Sequence, residues 1–292
     1  MQPGSMLSPV EPSSSSATAV VFTLLKSSSS SDLELLLESI KCTWAIIESY
    51  GSASVDHVVF IDGEIEPSPA LTAFKERAPT TMFVNARLYG FHPPNVPIPS
   101  DSWPLGYRQM CDFMALRWFN ALAKYKYAMR IDDDVCLLQL PIADPFEALA
   151  NSGAVYMYGL LKEESHEETR ATLTPWLKAY AREHNLAAAA VDADSIYFTN
   201  FFVSRVDFWT RPNVTEYLAA VDISRSIFTH RWGDAPLQTA ALRLHAAPDA
   251  IHHLRMDYLH MSTRDYIVDG EQSRFPYGPA QSIDGATTVT SM

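Results

Sequence analysis

The sequence predicts an α/β fold with a mostly parallel central sheet, on three observations. Short apolar runs such as Ala19-Val20-Val21-Phe22-Thr23-Leu24-Leu25 alternate with amphipathic helical stretches through the first half of the chain, the order expected of parallel strands covered by helices. The strand-like run at 127–131 ends in Asp132-Asp133-Asp134, the end of a strand where open α/β sheets bind ligands. With 292 residues, 47% of them hydrophobic and 19% charged, the chain is long and apolar enough for one large buried core.

Residues 1–16 are rich in Ser and Pro and predict a disordered lead-in. The strand at 19–25 follows. Behind the serine run, Ser31 with Glu34 three residues on reads as a capping box, and Leu33, Leu36, Leu37, Ile40 and Trp44 recur at helical spacing. His57 to Asp62 predicts a second strand, Ala70 to Arg77 a short helix, and Thr81 to Asn85 a third strand. Five prolines between Phe91 and Pro104 mark a structured loop. Gly106 to Lys124 predicts one long helix with Met110, Phe113, Met114, Trp118 and Leu122 on its apolar face. Tyr127 to Ile131 is the next strand. A short helix from Pro145, a strand over 155–161, a polar helix over 163–186 interrupted at Pro175, a strand over 196–203 and a helix from Gly233 to Leu244 complete the pattern. The division predicted is a lead-in over 1–16, a single catalytic-sized domain over 17–263 and a polar tail over 264–292.

A formal net charge of −12 leaves no basic footprint for nucleic acid. Three cysteines, Cys42, Cys111 and Cys136, lack the short spacing of a zinc knuckle. Cys42 and Cys136 read as small buried groups, and one disulfide is also compatible with the count. No run reaches the ~18 apolar residues of a membrane span, so the chain as given is expected to be soluble.

The aspartate cluster carries the chemistry. In an extended chain Asp132 and Asp134 point one way and Asp133 the other. Two carboxylates on one side suit a hard divalent ion, Mn²⁺ or Mg²⁺, that keeps positions open for phosphate oxygens. An isolated triplet of aspartates also makes a plain solvated turn, so its place at the end of a buried strand, just after Arg130, is what singles it out. Arg108 and Arg130 either pair with these carboxylates or contact phosphate. Asp234, entering a helix, reads as a helix-start carboxylate or as an acid facing an acceptor hydroxyl. Asn213-Val214-Thr215 is a glycosylation sequon, meaningful only in a secreted chain.

Several strings share an order. Tyr107-Arg108-Gln109-Met110-Cys111-Asp112-Phe113, Tyr125 to Val135, Asp144-Pro145-Phe146, Asn200-Phe201, Asp207-Phe208-Trp209 and Arg231-Trp232-Gly233-Asp234-Ala235-Pro236 together resemble the fungal-type α-1,2-mannosyltransferases of glycosyltransferase family 15. The resemblance runs from about Val20 to His260. It implies a GT-A-like, Rossmann-type nucleotide-diphospho-sugar transferase fold, GDP-mannose as donor, Mn²⁺, retention of anomeric configuration, a glycan or glycoprotein acceptor, and a Golgi or secretory location. Asp132 and Asp134 match the family's metal-binding acids. His260, with His252 second, matches its metal-binding histidine. Tyr107 matches a family tyrosine implicated near the donor and, with Asp234 as the acid facing the acceptor, is expected to be catalytic; Arg108, Arg130, Asp133 and Asn200 fall in the strings expected to hold the donor. The chain departs from the pattern at Phe202, where the family carries a glutamate proposed as nucleophile, at Gln238 in place of a histidine, and at Asp112 in place of an arginine. Two rival readings go with these departures: a transferase for a UDP-linked sugar, and a non-catalytic glycan-binding relative. A donor-hydrolysis panel separates the first; activity with Mn²⁺, lost on Asp134→Ala, removes the second.

Overall fold

The computed structural model describes residues 8–49, 55–100, 103–139, 144–187, 192–263, 265–268 and 271–274. Its first half runs β1 (Ala19–Leu24), α1 (Ser30–Ser49), β2 (Val55–Ile61), α2 (Pro69–Arg77), β3 (Thr81–Asn85), α3 (Leu105–Leu116), α4 (Trp118–Ala121) and β4 (Tyr127–Ile131). The second half runs β5 (Val135–Gln139), α5 (Pro145–Ser152), β6 (Tyr156–Tyr158), β7 (Leu161–Glu163), α6 (Glu167–Glu183), β8 (Ser195–Tyr197), β9 (Phe201–Arg205), α7 (Val206–Trp209), α8 (Pro212–Ser224), α9 (Ser226–Thr229) and α10 (Asp234–His245). Four more strands close it: β10 (Ile251–His253), β11 (Asp257–His260), β12 (Asp265–Val268) and β13 (Glu271–Arg274).

Seven strands form one sheet in the order β10-β6-β9-β4-β1-β2-β3. Only β9 runs antiparallel to its neighbours β4 and β6; the other pairings are parallel. The mostly parallel α/β sheet expected from the sequence is the one observed. Side chains alternate across it. Val20 and Phe22 join Phe60, Trp118, Phe202 and Trp209 on one face, while Ala19 and Val21 join Met129, Ile131 and Val203 on the other. Phe22 stacks on Trp118 at 4.7 Å between ring centres. A buried strand must be apolar on both faces, which is why these runs read as unbroken.

Several boundaries differ from the expectation, each for a local reason. The cap of α1 is Ser29, two residues before the expected Ser31: its hydroxyl accepts from the Asp32 N–H at 3.2 Å. The long helix over 106–124 breaks at Arg117 (φ −128, ψ −41). The Arg117 side chain is drawn to Asp112 at 3.3 Å and Asp222 at 2.8 Å. Pro175 does not interrupt α6, which runs through it. The strand over 196–203 divides into β8 and β9 at Thr199-Asn200, two polar residues that hold the site described below.

The ends also differ. Of the lead-in, residues 1–7 lie outside the described residues, but 8–16 pack: Val10 is buried, its N–H donates to the Ala121 carbonyl at 2.8 Å, and the Ser13 N–H donates to Asp56. The polar tail contributes β12 and β13, which with β11 and β5 form a four-stranded antiparallel sheet in the order β13-β12-β11-β5. On β12, Ile267 is buried and Val268 is exposed.

Cys42 on α1 and Cys136 on β5 form a disulfide across a sequence separation of 94, and Cys111 is free and buried. The disulfide anchors the strand that begins directly after the acidic turn. Among the described residues no helix is long and apolar enough to cross a membrane.

Candidate active site

A cavity of about 570 Å³ opens at the carboxyl ends of β1, β2 and β4. That is the size of a site for a cofactor or nucleotide. Its floor comes from Leu24 and Lys26 after β1, Asp62 after β2, and Arg130, Asp132 and Asp133 at the end of β4. Its wall comes from Trp103 and Tyr107 at the start of α3.

The acidic run does not continue the strand. β4 ends at Ile131, and Asp133 and Asp134 lie in a turn. The expected alternation, with Asp132 and Asp134 on one side, therefore fails, because it requires extended backbone. Asp132 turns back to Arg130, whose Nε donates to its Oδ1 at 3.0 Å. Asp133 faces the cavity and accepts from the Lys26 N–H at 3.2 Å. Asp134 is buried and turned to the small sheet. There its Oδ2 accepts from the Ser262 hydroxyl and lies 3.2 Å from His260 Nδ1.

Three backbone bonds hold this turn: Val135 N–H to the Asp132 carbonyl at 3.1 Å closes it, and Asp132 N–H to the Asn200 carbonyl at 3.0 Å and Met261 N–H to the Asp134 carbonyl at 2.7 Å tie it to its neighbours. Asn200 thus sits beneath the turn. Its Oδ1 accepts from the Tyr258 hydroxyl at 2.9 Å, while its buried Nδ2 has no acceptor among the described residues.

The turn is short of positive charge. Burial raises the Asp132 carboxyl above the usual carboxylate range, Asp134 and Asp234 add to the effect, and Arg130 and His260 oppose it. Burial, with Asp132 beside it, pushes Asp133 up to about 7. A divalent cation there would relieve that strain. Among the described residues no three His, Cys, Asp or Glu side chains converge as a ready cage. The residues nonetheless fit a hard ion held by few protein ligands. Asp134 and His260 already touch, and Asp132 keeps one carboxylate oxygen without a hydrogen bond among the described residues. Ions of this class commonly take one or two carboxylates and fill the remaining positions with phosphate and water.

Arg130 bridges two acids. It is buried, holding Asp132 by one edge and donating through Nη1 to Asp234. Asp234 opens α10 but does not cap it. Its carboxylate is buried between Arg130 and the Thr199 hydroxyl, which donates at 2.8 Å.

Arg108 is placed differently from Arg130. It is fully buried and donates to the Phe228 carbonyl at 3.0 Å and the Ile227 carbonyl at 3.4 Å, so it ties α3 to α9 instead of facing the cavity. His252 lies on β10 with Nε2 2.9 Å from the Asp249 carbonyl. Of the two histidines, only His260 stands beside the acidic turn. Phe202 is paired with Arg130 in the β4–β9 register and is wholly buried against Tyr156, Trp118 and Phe22. Gln238 is buried and donates to the Met114 carbonyl. Asp112 pairs with Arg117.

Lys26, Asp62 and Trp103 line the cavity without a motif to mark them, and Arg231, part of a recognised string but given no role from sequence, joins them. Arg231 lays its guanidinium over Trp103 at 4.1 Å and Tyr107 at 5.1 Å, and its Nη2 donates to the Tyr107 hydroxyl at 2.7 Å. Its place in Arg231-Trp232-Gly233-Asp234 was the available signal.

The family model for glycolipid 2-alpha-mannosyltransferases matches residues 100–269. The O-glycoside alpha-1,2-mannosyltransferase omh1 of Schizosaccharomyces pombe is 28% identical over 195 residues, 61% of this chain and 50% of that one. The probable mannosyltransferase KTR3 of Saccharomyces cerevisiae is 29% identical over 50% of this chain and 40% of its own. The chain thus spans about half or less of the length of these relatives. In fold it is similar to core-mannan synthase A of Aspergillus fumigatus in its Mn/GDP form. That match has a TM-score of 0.72 at 20% identity and covers 96% of this chain and 83% of the other. The mannosyltransferase Ktr4p of S. cerevisiae gives 0.70 at 22%, covering 86% and 72%.

Proposed function

Because this chain belongs to the glycolipid 2-alpha-mannosyltransferase family, we propose that it transfers mannose from GDP-mannose to a glycan or glycoprotein hydroxyl with retention of configuration. One observation carries the reading: a nucleotide-sized cavity ends at an acidic turn whose Asp134 is paired with His260. The fold match to a protein crystallised with Mn and GDP supports the same ligands here.

Asp132, Asp134 and His260 would hold the cation. When bound, the cation acts as a Lewis acid on the diphosphate and offsets charge on the leaving nucleotide. Lys26, Asp62 and the wall of Trp103 and Tyr107 line the space for the nucleotide-sugar. Arg130, fixed between Asp132 and Asp234, orients both acids. Asp234 faces the acceptor hydroxyl in this reading and takes up its proton as the glycosidic bond forms.

Position 202 supplies no nucleophile, because Phe202 is core. We therefore infer attack of the acceptor on the same face that the diphosphate leaves, without a glycosyl-enzyme. Mass spectrometry of the enzyme during turnover checks this. The expected spectrum holds only the unmodified chain, and a mannosylated adduct refutes the step.

The disulfide supports an oxidising compartment such as the secretory lumen. The direct test of function is incubation with GDP-mannose, Mn²⁺ and an α-mannoside. It should yield an α-linked mannose and GDP, whereas equal transfer from UDP-sugars would favour the rival donor class.

A further inference from the structure

We infer that Arg231 is a positioning residue of the donor cavity, holding the Trp103–Tyr107 wall and the Tyr107 hydroxyl in place for the nucleotide-sugar; this rests on the donor reading above. Two independent observations carry it.

The first is backbone conformation. Arg231 has φ +55, one of three non-glycine residues with positive φ among the described residues. A side chain in that region is strained and persists only where the surroundings impose it. Here they do. The Thr169 hydroxyl donates to the Arg231 carbonyl at 2.9 Å, and Trp232, wholly buried next to it, donates its indole N–H to Thr172 at 2.8 Å. Both anchors come from α6. The turn is pinned where a glycine would rest without strain, and the residue kept there is the one that reaches the cavity wall.

The second is the side chain. The side chain is 11% exposed, and its guanidinium lies over both the Trp103 and Tyr107 rings, a contact suited to the flat guanidinium of arginine more than to lysine. Nη2 donates to the Tyr107 hydroxyl. Nη1 stands 3.7 Å from buried Glu164, an ion pair beyond hydrogen-bond reach, and Nε and Nη1 are buried without an acceptor among the described residues. A buried cation that leaves two donors unused is poor as a stabilising device. It is well built to fix a wall. Burial together with Cys111 raises the Tyr107 hydroxyl, and Arg231 opposes that rise. The phenol stays protonated, accepting from Arg231 while its own proton is turned to the Cys111 sulfur.

A double-mutant cycle in the full chain tests this, read by GDP affinity in Mn²⁺ and by the KM for GDP-mannose. Arg231→Met and Tyr107→Phe are each expected to weaken GDP binding and raise KM about 10-fold, the worth of one hydrogen bond in place. Together they should also give about 10-fold, because Arg231 acts through Tyr107. A double variant near 100-fold, or an Arg231→Met variant that binds GDP like the parent, overturns the inference. If Arg231→Met does not fold, Arg231→Lys, which keeps the charge but not the flat fork, takes its place in the cycle with the same expectation. A parent protein that binds no GDP in Mn²⁺ sinks the donor reading and this inference with it.

Discussion

His260 Nδ1 lies 3.2 Å from Asp134 Oδ2 because β11 pairs antiparallel with β5 in a register that sets His260 opposite Val135. The contact joins a turn at the carboxyl end of the large sheet's central strand to the end of a strand in the small one. Its backbone part, Met261 N–H to the Asp134 carbonyl, does not depend on either side chain.

Asp134→Ala should therefore fold like the parent and lose kcat/KM by at least about 100-fold, the scale of a lost cation ligand. His260→Ala should lose about 10- to 100-fold and need more Mn²⁺ for half-maximal activity. Circular dichroism with a Mn²⁺ titration of initial rates checks both. An Asp134→Ala variant with unchanged Mn²⁺ dependence would contradict the assignment.

Arg130 separates stability from turnover. Arg130→Met leaves the buried Asp234 carboxylate without its cation, a change that costs about 3–5 kcal/mol, visible as a lower urea midpoint. Asp234→Asn keeps the shape and the hydrogen bond from Thr199. It should cost less stability and reduce kcat much more than it changes donor affinity.

The Cys42–Cys136 disulfide closes a loop with a sequence separation of 94, for which chain entropy gives roughly 4–5 kcal/mol. Cys42→Ser should lower stability by up to that amount. It should also weaken Mn²⁺-dependent GDP binding, since β5 carries the turn's exit. Binding unchanged by full reduction would show that the disulfide is remote from the site in effect.

His57 gives the pH dependence. It is buried, with Nδ1 3.0 Å from the Thr81 hydroxyl, and burial pushes its imidazole down to about 3. The unfolded chain binds its proton near pH 6.5 and the folded chain does not until near pH 3. Stability from this residue is thus full above pH 6.5 and is lost as pH falls through that window, by at most about 1.4 kcal/mol per pH unit. Urea unfolding at pH 5 and 7 should show the slope in the parent and a shallower one in His57→Phe.

The sheet was legible because β1, β2, β3 and β4 are short, apolar and separated by helical periodicity, signals that need only near neighbours. The acidic turn was legible for the same reason. Its geometry was not, since the alternation rule holds along extended chain and β4 stops at Ile131. β5 and the β12–β13 hairpin are marked weakly; β5 finds β11 across more than a hundred residues, and β12 and β13 join that sheet by local pairings in a polar segment without a clear alternation. Family resemblance pointed to His260, while local periodicity did not. Arg108 and Arg130 read alike as basic residues beside motifs. One binds carbonyls of α9 and the other carboxylates, a difference set by which helix packs where. Arg231 depends on a left-handed turn and on Trp103 in a proline-rich loop, and neither has a periodic signature.

The measurement closest to the central claim is thermal unfolding in GDP or UDP, each with Mn²⁺ or with a chelator. GDP with Mn²⁺ should raise the midpoint by several degrees at concentrations well above Kd, UDP by less, and GDP with chelator by almost nothing. Protection by GDP that survives removal of the cation, or none under any condition, would contradict a cation-held diphosphate at Asp132 and Asp134.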